Sequence, residues 1–523
     1  MIHLNIWSLS KNFKVIIASI FFAITLITLN KLAFWDSSDI SITNGSSLYQ
    51  SSMNQFSQHQ DPTFRLRSRL LSLSSITLNS PVRTYCNFIE DMAIGDEKSF
   101  VNHQDYNLTL SKIILLIRHG HRGPIRKIQS LDKISCDLVR NDVDRVIFET
   151  MNLMRKFDDL KQKFSKYPEN NDIYYQFPDS KCSVGILTRI GLAQHINLGS
   201  ILFRHYKDWL NFDSNRSKFF DNIKIFTTEY QRTVQSALAF LQGFYCFENK
   251  LNPFDLVDKF HFDSDHFFCH IKNHCLHNET IKEIYRKANL TMTIESNHSF
   301  FDEMIRIRSV LFGNEETLNT SHHLISVFDA LAASYVCHKE PLPCDAKNFV
   351  GQSSPECLSI NQVEKIYSLF TDHMDDLNRQ KNYIKLTRKI SYGFIQNLIS
   401  IIEENSPAKL FLFSGHDITI QALSSALGFY DEYLPRLASR VIFEVYTTDQ
   451  NKKYFRVIYN GDDVTDRLDV CNLDADESVS LEFPNESLSY SEKRCKRFGL
   501  DHILVDFGSF KRYVSTNYFT EKF

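Results

Sequence analysis

Apolar residues in this chain fall into a few short unbroken runs, separated by long stretches in which they recur at helical spacing. Ile113, Ile114, Leu115, Leu116 and Ile117 form the first run. A continuous β-branched and leucine run suits a strand buried on both faces of a parallel sheet. Residues 223–226 and 410–413 form two more, each followed by polar residues and then by a helical pattern, over 234–244 and 418–427. Helical spacing also marks 142–164 and 188–206, the latter through Leu192, His195, Ile196, Gly199, Leu202 and Tyr206. Alternation over 441–446 and 454–459, split by Asp449-Gln450-Asn451, predicts an antiparallel hairpin. Strands alternating with helices predict an α/β core, a mostly parallel sheet flanked by helices. The long excursions over about 131–222 and 246–390 predict an inserted, mainly helical cap.

The first 35 residues follow another pattern. Lys11 and Lys14 precede an uncharged apolar run over 15–29, and residues 32–35 extend it past Asn30 and Lys31. With Phe34 and Trp35 at the interface and Lys31 snorkelling, 15–35 reaches the roughly 20 residues of a span. No small-x-small cleavage site follows it, so an uncleaved signal anchor is expected rather than a signal peptide. Lysines before the segment and Asp36 and Asp39 after it put 1–14 in the cytosol and the remainder in a lumen, a type II orientation. Residues 36–85, rich in Ser, Asn and Gln and without a sustained period, read as a stem. The folded body runs over 86–523.

Two further features fit a lumenal body. All 11 cysteines lie between Cys86 and Cys495; an oxidising compartment would pair most of them and leave at least one over. Glycosylation sequons stand at Asn44, Asn107, Asn215, Asn278, Asn289, Asn297, Asn319 and Asn485, all beyond the anchor. His266, Cys269, His270, His274, Cys275 and His277 offer zinc-ligand types, but their spacing matches no standard signature, and no metal is expected. A net charge of −3 without a dense basic stripe gives no support to a nucleic-acid partner.

The chemistry sits where the apolar runs end. The first breaks into Arg118-His119-Gly120-His121-Arg122-Gly123-Pro124, the second is followed by Arg232, and the third by His416 and Asp417. In open α/β sheets, ligands bind at the carboxyl ends of parallel strands, so these residues are expected to converge on one anion. Guanidinium forks suit the non-bridging oxygens of a phosphate monoester. His119 is the natural nucleophile, Arg118, Arg122, Arg232 and His416 the phosphate ligands, and Asp417 the general acid. A carboxyl beside a dianion and a reacting histidine is expected to have a raised pKa, which points to activity on the acidic side of neutral. His121 and Gly123 add a titratable ring and a flexible position to the loop, and Gly123 is expected to loosen it.

This pattern, Arg118-His119-Gly120-x-Arg122-x-Pro124 with a later His416-Asp417, resembles the histidine acid phosphatases of the phosphoglycerate-mutase-like superfamily. Leu187, Thr188, Gly191 and Gln194, and Arg232, Thr233, Ser236 and Gly243, extend the resemblance over about 86–471. It implies a phosphoglycerate-mutase-like fold, a phosphohistidine intermediate on His119, proton donation by Asp417, phosphate binding by the other four residues, and no cofactor. Within the family, 434–444 and 459–465 resemble the carboxyl-terminal segments of Golgi members acting on 2-phosphoxylose. That implies a Golgi membrane location and, as substrate, the phosphorylated xylose linking glycosaminoglycan chains to proteoglycan core proteins. The implied partners are those proteoglycans, the membrane through the anchor, and glycosyltransferases of glycosaminoglycan synthesis. A broad-specificity acid phosphatase and an inactive phosphoglycan-binding relative are the alternatives.

Overall fold

The structure, a computed structural model, describes residues 80–97, 107–136, 182–210, 221–246, 259–262, 267, 298–313, 323–344, 357–431, 434–472, 494–498 and 502–519. The anchor segment 15–35, the expected helix over 142–164, the histidine- and cysteine-rich stretch 266–277 and every sequon except Asn107 lie outside the described residues. Among the described residues, no helix is long and apolar enough to cross a membrane.

In chain order the elements are α1 (Pro81–Cys86), β1 (Leu108–Arg118), α2 (Arg189–Leu210), β2 (Ile223–Thr227), α3 (Gln231–Leu241), β3 (Phe260–Phe262), α4 (His298–Phe312) and α5 (His323–Ser334). There follow α6 (Ile360–Asn378), α7 (Lys381–Ile390), α8 (Tyr392–Glu403), β4 (Leu410–Gly415), α9 (Asp417–Leu427), β5 (Arg440–Thr448), β6 (Lys453–Tyr459) and β7 (Asp462–Asp463). The chain ends with α10 (Asp469–Asn472), β8 (Cys495–Phe498), β9 (His502–Asp506) and α11 (Phe507–Phe519).

One sheet of order β3-β2-β4-β1-β5-β6-β9-β8, with β7 beside β6, organises the molecule. It is a mixed sheet in two halves. β3, β2, β4 and β1 are parallel, whereas β5, β6, β9 and β8 pair antiparallel from β1 outward. The 441–459 hairpin is the start of that second half. β1 is buried on both sides, as its unbroken apolar run requires. Ile113, Leu115 and Ile117 pack with Leu192, Ile196, Leu202, Val234 and Leu238 of α2 and α3. Ile114 and Leu116 pack on the opposite face with Phe394, Leu398, Ile420 and Leu423 of α8 and α9.

A third apolar cluster joins α1, α4, α5 and α6 through Val82, Met304, Phe328, Leu331, Ile366 and Phe370; this is the helical insertion. α2 and α7, which also fall within the two excursions, contribute to the clusters lying on the sheet. Among the described residues, four disulfides, Cys86–Cys337, Cys136–Cys182, Cys344–Cys357 and Cys471–Cys495, fasten the helical cluster and the antiparallel edge.

Candidate active site

Register brings the three strand ends to one level. Arg118 stands opposite Gly415, and Ser414 opposite both Ile117 and Thr227. Beyond these positions each chain leaves the sheet. His416 is the N-cap of α9, Asp417 its first residue, and Arg232 lies in the first turn of α3. The six predicted site residues are therefore drawn together by the parallel half of the sheet.

Glycines and short polar side chains hold the loop after β1. A Cβ on Gly120 would run into the backbone of Gly191, and one on Gly191 into that of His121, so α2 approaches the loop as closely as two backbones allow. The Gly120 amide donates to Ser236 Oγ (3.1 Å), and the His121 amide to Gln194 Oε1 (2.8 Å), whose Nε2 donates back to Cys86 and Asn87 carbonyls. Thr188 Oγ1 donates to the His121 carbonyl. Thr188, Gly191, Gln194 and Ser236 thus shape the loop. Gly123 is tight where looseness was expected: its amide donates to the Ile186 carbonyl, and a Cβ would meet the Ser183 carbonyl. His121 Nδ1 lies 2.7 Å from Thr188 Oγ1, and its ring edge stands against His338 (4.2 Å between centroids).

His119 is almost fully buried, and its Nδ1 lies 2.8 Å from the Gly120 carbonyl. A carbonyl only accepts, so Nδ1 carries the proton and Nε2 keeps its lone pair. Burial, then Arg232, Arg118 and Arg122, hold its pKa well below the ordinary histidine range. The ring is neutral and its nucleophilic nitrogen is available. The His416 ring lies 5.6 Å away, with Nε2 2.9 Å from Thr228 Oγ1 and Nδ1 3.4 Å from Arg232 Nη2.

The guanidiniums are oriented by groups on their far sides. Arg118 donates to the Pro435 carbonyl (2.5 Å), the Tyr85 hydroxyl (3.2 Å) and Asp417 Oδ2 (2.8 Å). Arg122 donates to Asp329 Oδ1 (2.7 Å), and Asp329 Oδ2 accepts from the Ile125 amide (2.7 Å). Arg232 lies over the Tyr230 ring, 4.5 Å from its centroid, and burial followed by Arg122 pushes its pKa down to about 10. The Nε atoms of all three are buried without a hydrogen-bond partner. Tyr85, Asp329, Thr228 and Tyr230 were not picked out from the sequence. Only Asp329 left a trace there, as a lone acid in the apolar stretch 327–333.

Asp417 faces Arg118 at 2.8 Å. Burial does raise its pKa, but Arg118, Arg122, His416 and the Ile418 amide outweigh that and hold it at about 2. Without a bound anion it is a carboxylate. As for metals, Cys136, Cys182 and His338 cluster within ligand distance among the described residues, but the two cysteines are bonded to each other and have no thiolate to offer.

The chain is similar to known proteins over most of its length. Residues 109–460 match the model of the histidine phosphatase superfamily (branch 2). The 2-phosphoxylose phosphatase 1 of Homo sapiens is 26% identical over 429 residues, covering 78% of this chain and 82% of that protein. Putative acid phosphatase 5 of Caenorhabditis elegans is 24% identical over 342 residues, covering 62% of this chain and 75% of its own length. Among solved structures, a phytase from Klebsiella sp. ASR1 aligns with a TM-score of 0.44 and 13% identity over 79% of this chain and 94% of its own. A match spanning both β1 and the β5–β6 hairpin covers the strand ends and the loops that carry the clamp, so the chain belongs to branch 2 of the histidine phosphatase superfamily and is a phosphoric monoester hydrolase.

Proposed function

We propose that the protein hydrolyses its ester through a phosphoryl group carried on His119 Nε2, and that the ester is the 2-phosphate of the xylose in the glycosaminoglycan–protein linkage of proteoglycans. The observation that carries the mechanism is the neutral His119, its Nδ1 proton spent on Gly120, set among the buried Arg118 and Arg122 and the half-buried Arg232. Nε2 attacks phosphorus while Arg118, Arg122, Arg232 and His416 hold the non-bridging oxygens, and the ester P–O bond breaks on the opposite side. The departing alkoxide takes a proton from Asp417. Water then attacks the phosphohistidine, Asp417 accepts its proton, and phosphate leaves with His119 restored.

The low pKa of Asp417 fixes where that first proton comes from. A phosphate monoester has its second ionisation near pH 6. A bound monoanion with an ionised Asp417 has the same charge as a dianion with a protonated Asp417. The substrate therefore brings the proton that Asp417 holds and delivers. Its negative charge also offsets the guanidiniums that depress Asp417. This predicts kcat/KM falling as pH rises above about 6, while His119 stays neutral well below its usual range.

The xylose assignment rests on relatives named 2-phosphoxylose phosphatase 1, about a quarter identical over most of the chain. Four disulfides support the secretory compartment such a substrate requires. A Golgi membrane location through 15–35, with proteoglycans and their glycosyltransferases as partners, completes the proposal. Phosphate release from a 2-phosphoxylosyl linkage oligosaccharide and from glycerol 2-phosphate, between pH 4.5 and 8, tests it. The expected result is a kcat/KM at least tenfold higher for the oligosaccharide, with the acid-side profile. Equal values would leave a broad acid phosphatase, and no release from either would sink the hydrolytic mechanism.

A further inference from the structure

Large apolar side chains that stand in water are few here, and they are not scattered evenly. Among the described residues seven are exposed: Ile125 (58%), Val184 (41%), Tyr230 (38%), Ile305, Ile325, Leu369 and Ile418 (41%). Ile305, Ile325 and Leu369 lie on the insertion helices α4, α5 and α6. The other four each adjoin the candidate phosphate site, in sequence or through a hydrogen bond. Ile418 follows Asp417, and Tyr230 precedes Arg232 by two. Ile125 shares Asp329 with Arg122, and Val184 precedes Gly185, whose carbonyl lies 3.4 Å from Arg232 Nη1.

Connectivity makes these four a rim. The Gly185 amide donates to the Pro124 carbonyl (3.0 Å), which brings Val184 beside Ile125. The Tyr230 ring stands edge-on to His416, 5.0 Å between centroids, and under the Arg232 guanidinium. Asp417 joins Arg118 at 2.8 Å, which carries Ile418 to the same opening. Exposed apolar groups gathered around a polar pocket mark a ligand surface.

We infer that these residues form a leaving-group subsite that packs against the uncharged, C–H-rich face of a ring bearing the phosphate, as in a pyranose monophosphate. In-line attack places the ester oxygen opposite His119, next to Asp417, so the first carbon of the alcohol lands beside Ile418. A pyranose offers a face of axial hydrogens to Tyr230, Ile418 and Val184 and leaves its hydroxyls at the edge, in water. A second phosphate on the ring would be desolvated against the same side chains at a cost, so the subsite selects single phosphates.

The inference rests on the proposed function for the position of the phosphate and of its ester oxygen, and binding tests it without turnover. On the whole protein, calorimetry with inorganic phosphate, methylphosphonate and cyclohexylphosphonate should show the cyclohexyl ligand bound at least about tenfold more tightly than the methyl one. Val184→Ser with Ile418→Ser should cut that ratio threefold or more, as should Tyr230→Asn, whereas Tyr230→Leu should preserve most of it. Equal affinity of the two phosphonates for the unmodified protein, or a ratio unchanged by the serine and asparagine variants, overturns the inference. If the ratio behaves as expected and no ester is hydrolysed, the subsite stands and the hydrolytic mechanism falls. Hydrolysis with a flat ratio means the reverse.

Discussion

Arg456 and Arg118 are both fully buried at the sheet, Arg456 in its antiparallel half and Arg118 at the end of a parallel strand, and their surroundings differ. Arg456 Nε donates to Glu444 (2.8 Å), Nη1 to Asp463 (3.2 Å) and Nη2 to the Asp96 carbonyl (2.8 Å), while Tyr206 and Tyr446 also donate to Glu444. Its neighbour Arg440 is bound by Glu97 and the Ala93 carbonyl. Every face of that network is met by protein. At the parallel ends, three guanidiniums share two carboxylates, Asp417 and Asp329, and each keeps a buried Nε without a partner. A completed network holds a fold together, whereas one left short of negative charge is waiting for a ligand.

The comparison breaks most sharply on substitution. His119→Ala should lower kcat by roughly 10⁴-fold or more on any ester, because no other group among the strand ends presents a bare nucleophilic nitrogen. Its melting temperature should stay within a few degrees. Arg456→Met should act oppositely, costing about 3–5 kcal/mol of stability by leaving Glu444 buried without its cation. Its kcat per folded molecule should be nearly unchanged. Urea unfolding and active-site-normalised rates on the same preparations read both effects. A destabilised His119→Ala, or an Arg456→Met with lost chemistry and normal stability, would mean that the two networks are not separable.

Asp329→Asn probes the boundary between them, since this carboxylate belongs to α5 in the insertion yet orients Arg122. KM should rise about tenfold or more with a smaller change in kcat, because Asn keeps one acceptor for Arg122 but loses the charge that fixes it. A KM unchanged within twofold would show that Arg122 is held without Asp329.

Much of this contrast was legible in the residues, and the reasons differ by region. The apolar runs at 113–117, 223–226 and 410–413 became parallel strands because a run without polar alternation can only be buried on both faces. Parallel register then made the positions of Arg118, Arg232, His416 and Asp417 almost obligatory. Asp329 and Tyr85 could not be read, because they reach the site from the insertion and from α1 through tertiary packing that leaves no local period. β8 and β9 were missed because strands of four and five residues at a sheet edge carry little pattern. The protonation of Asp417 is not legible in the residues either, because it turns on whether a dianion or Arg118 alone faces the carboxylate.

Acid titration separates the clamp from the rest of the core. Burial lowers the pKa of His119, His121, His195, His338 and His416, with His195 and His338 pushed down to about 3. Each is neutral when folded and takes a proton near pH 6.5 when unfolded. Below that value the unfolded state binds more protons, so stability is present above pH 6.5 and is lost as pH falls, by about 1.4 kcal/mol per pH unit per histidine. Urea midpoints between pH 7 and 5 should follow this slope, and His195→Leu should reduce it by one proton. Sulfate, a dianion across the whole range, should reduce it as well, because an anion held by the three guanidiniums makes protonation of His119 and His416 less costly. It should change the share of His195 least, because burial and the Arg118 backbone, not the guanidiniums, set that pKa. A sulfate effect of equal size in Arg232→Met would place the anion elsewhere, and the charge-deficient clamp would then lose its explanation.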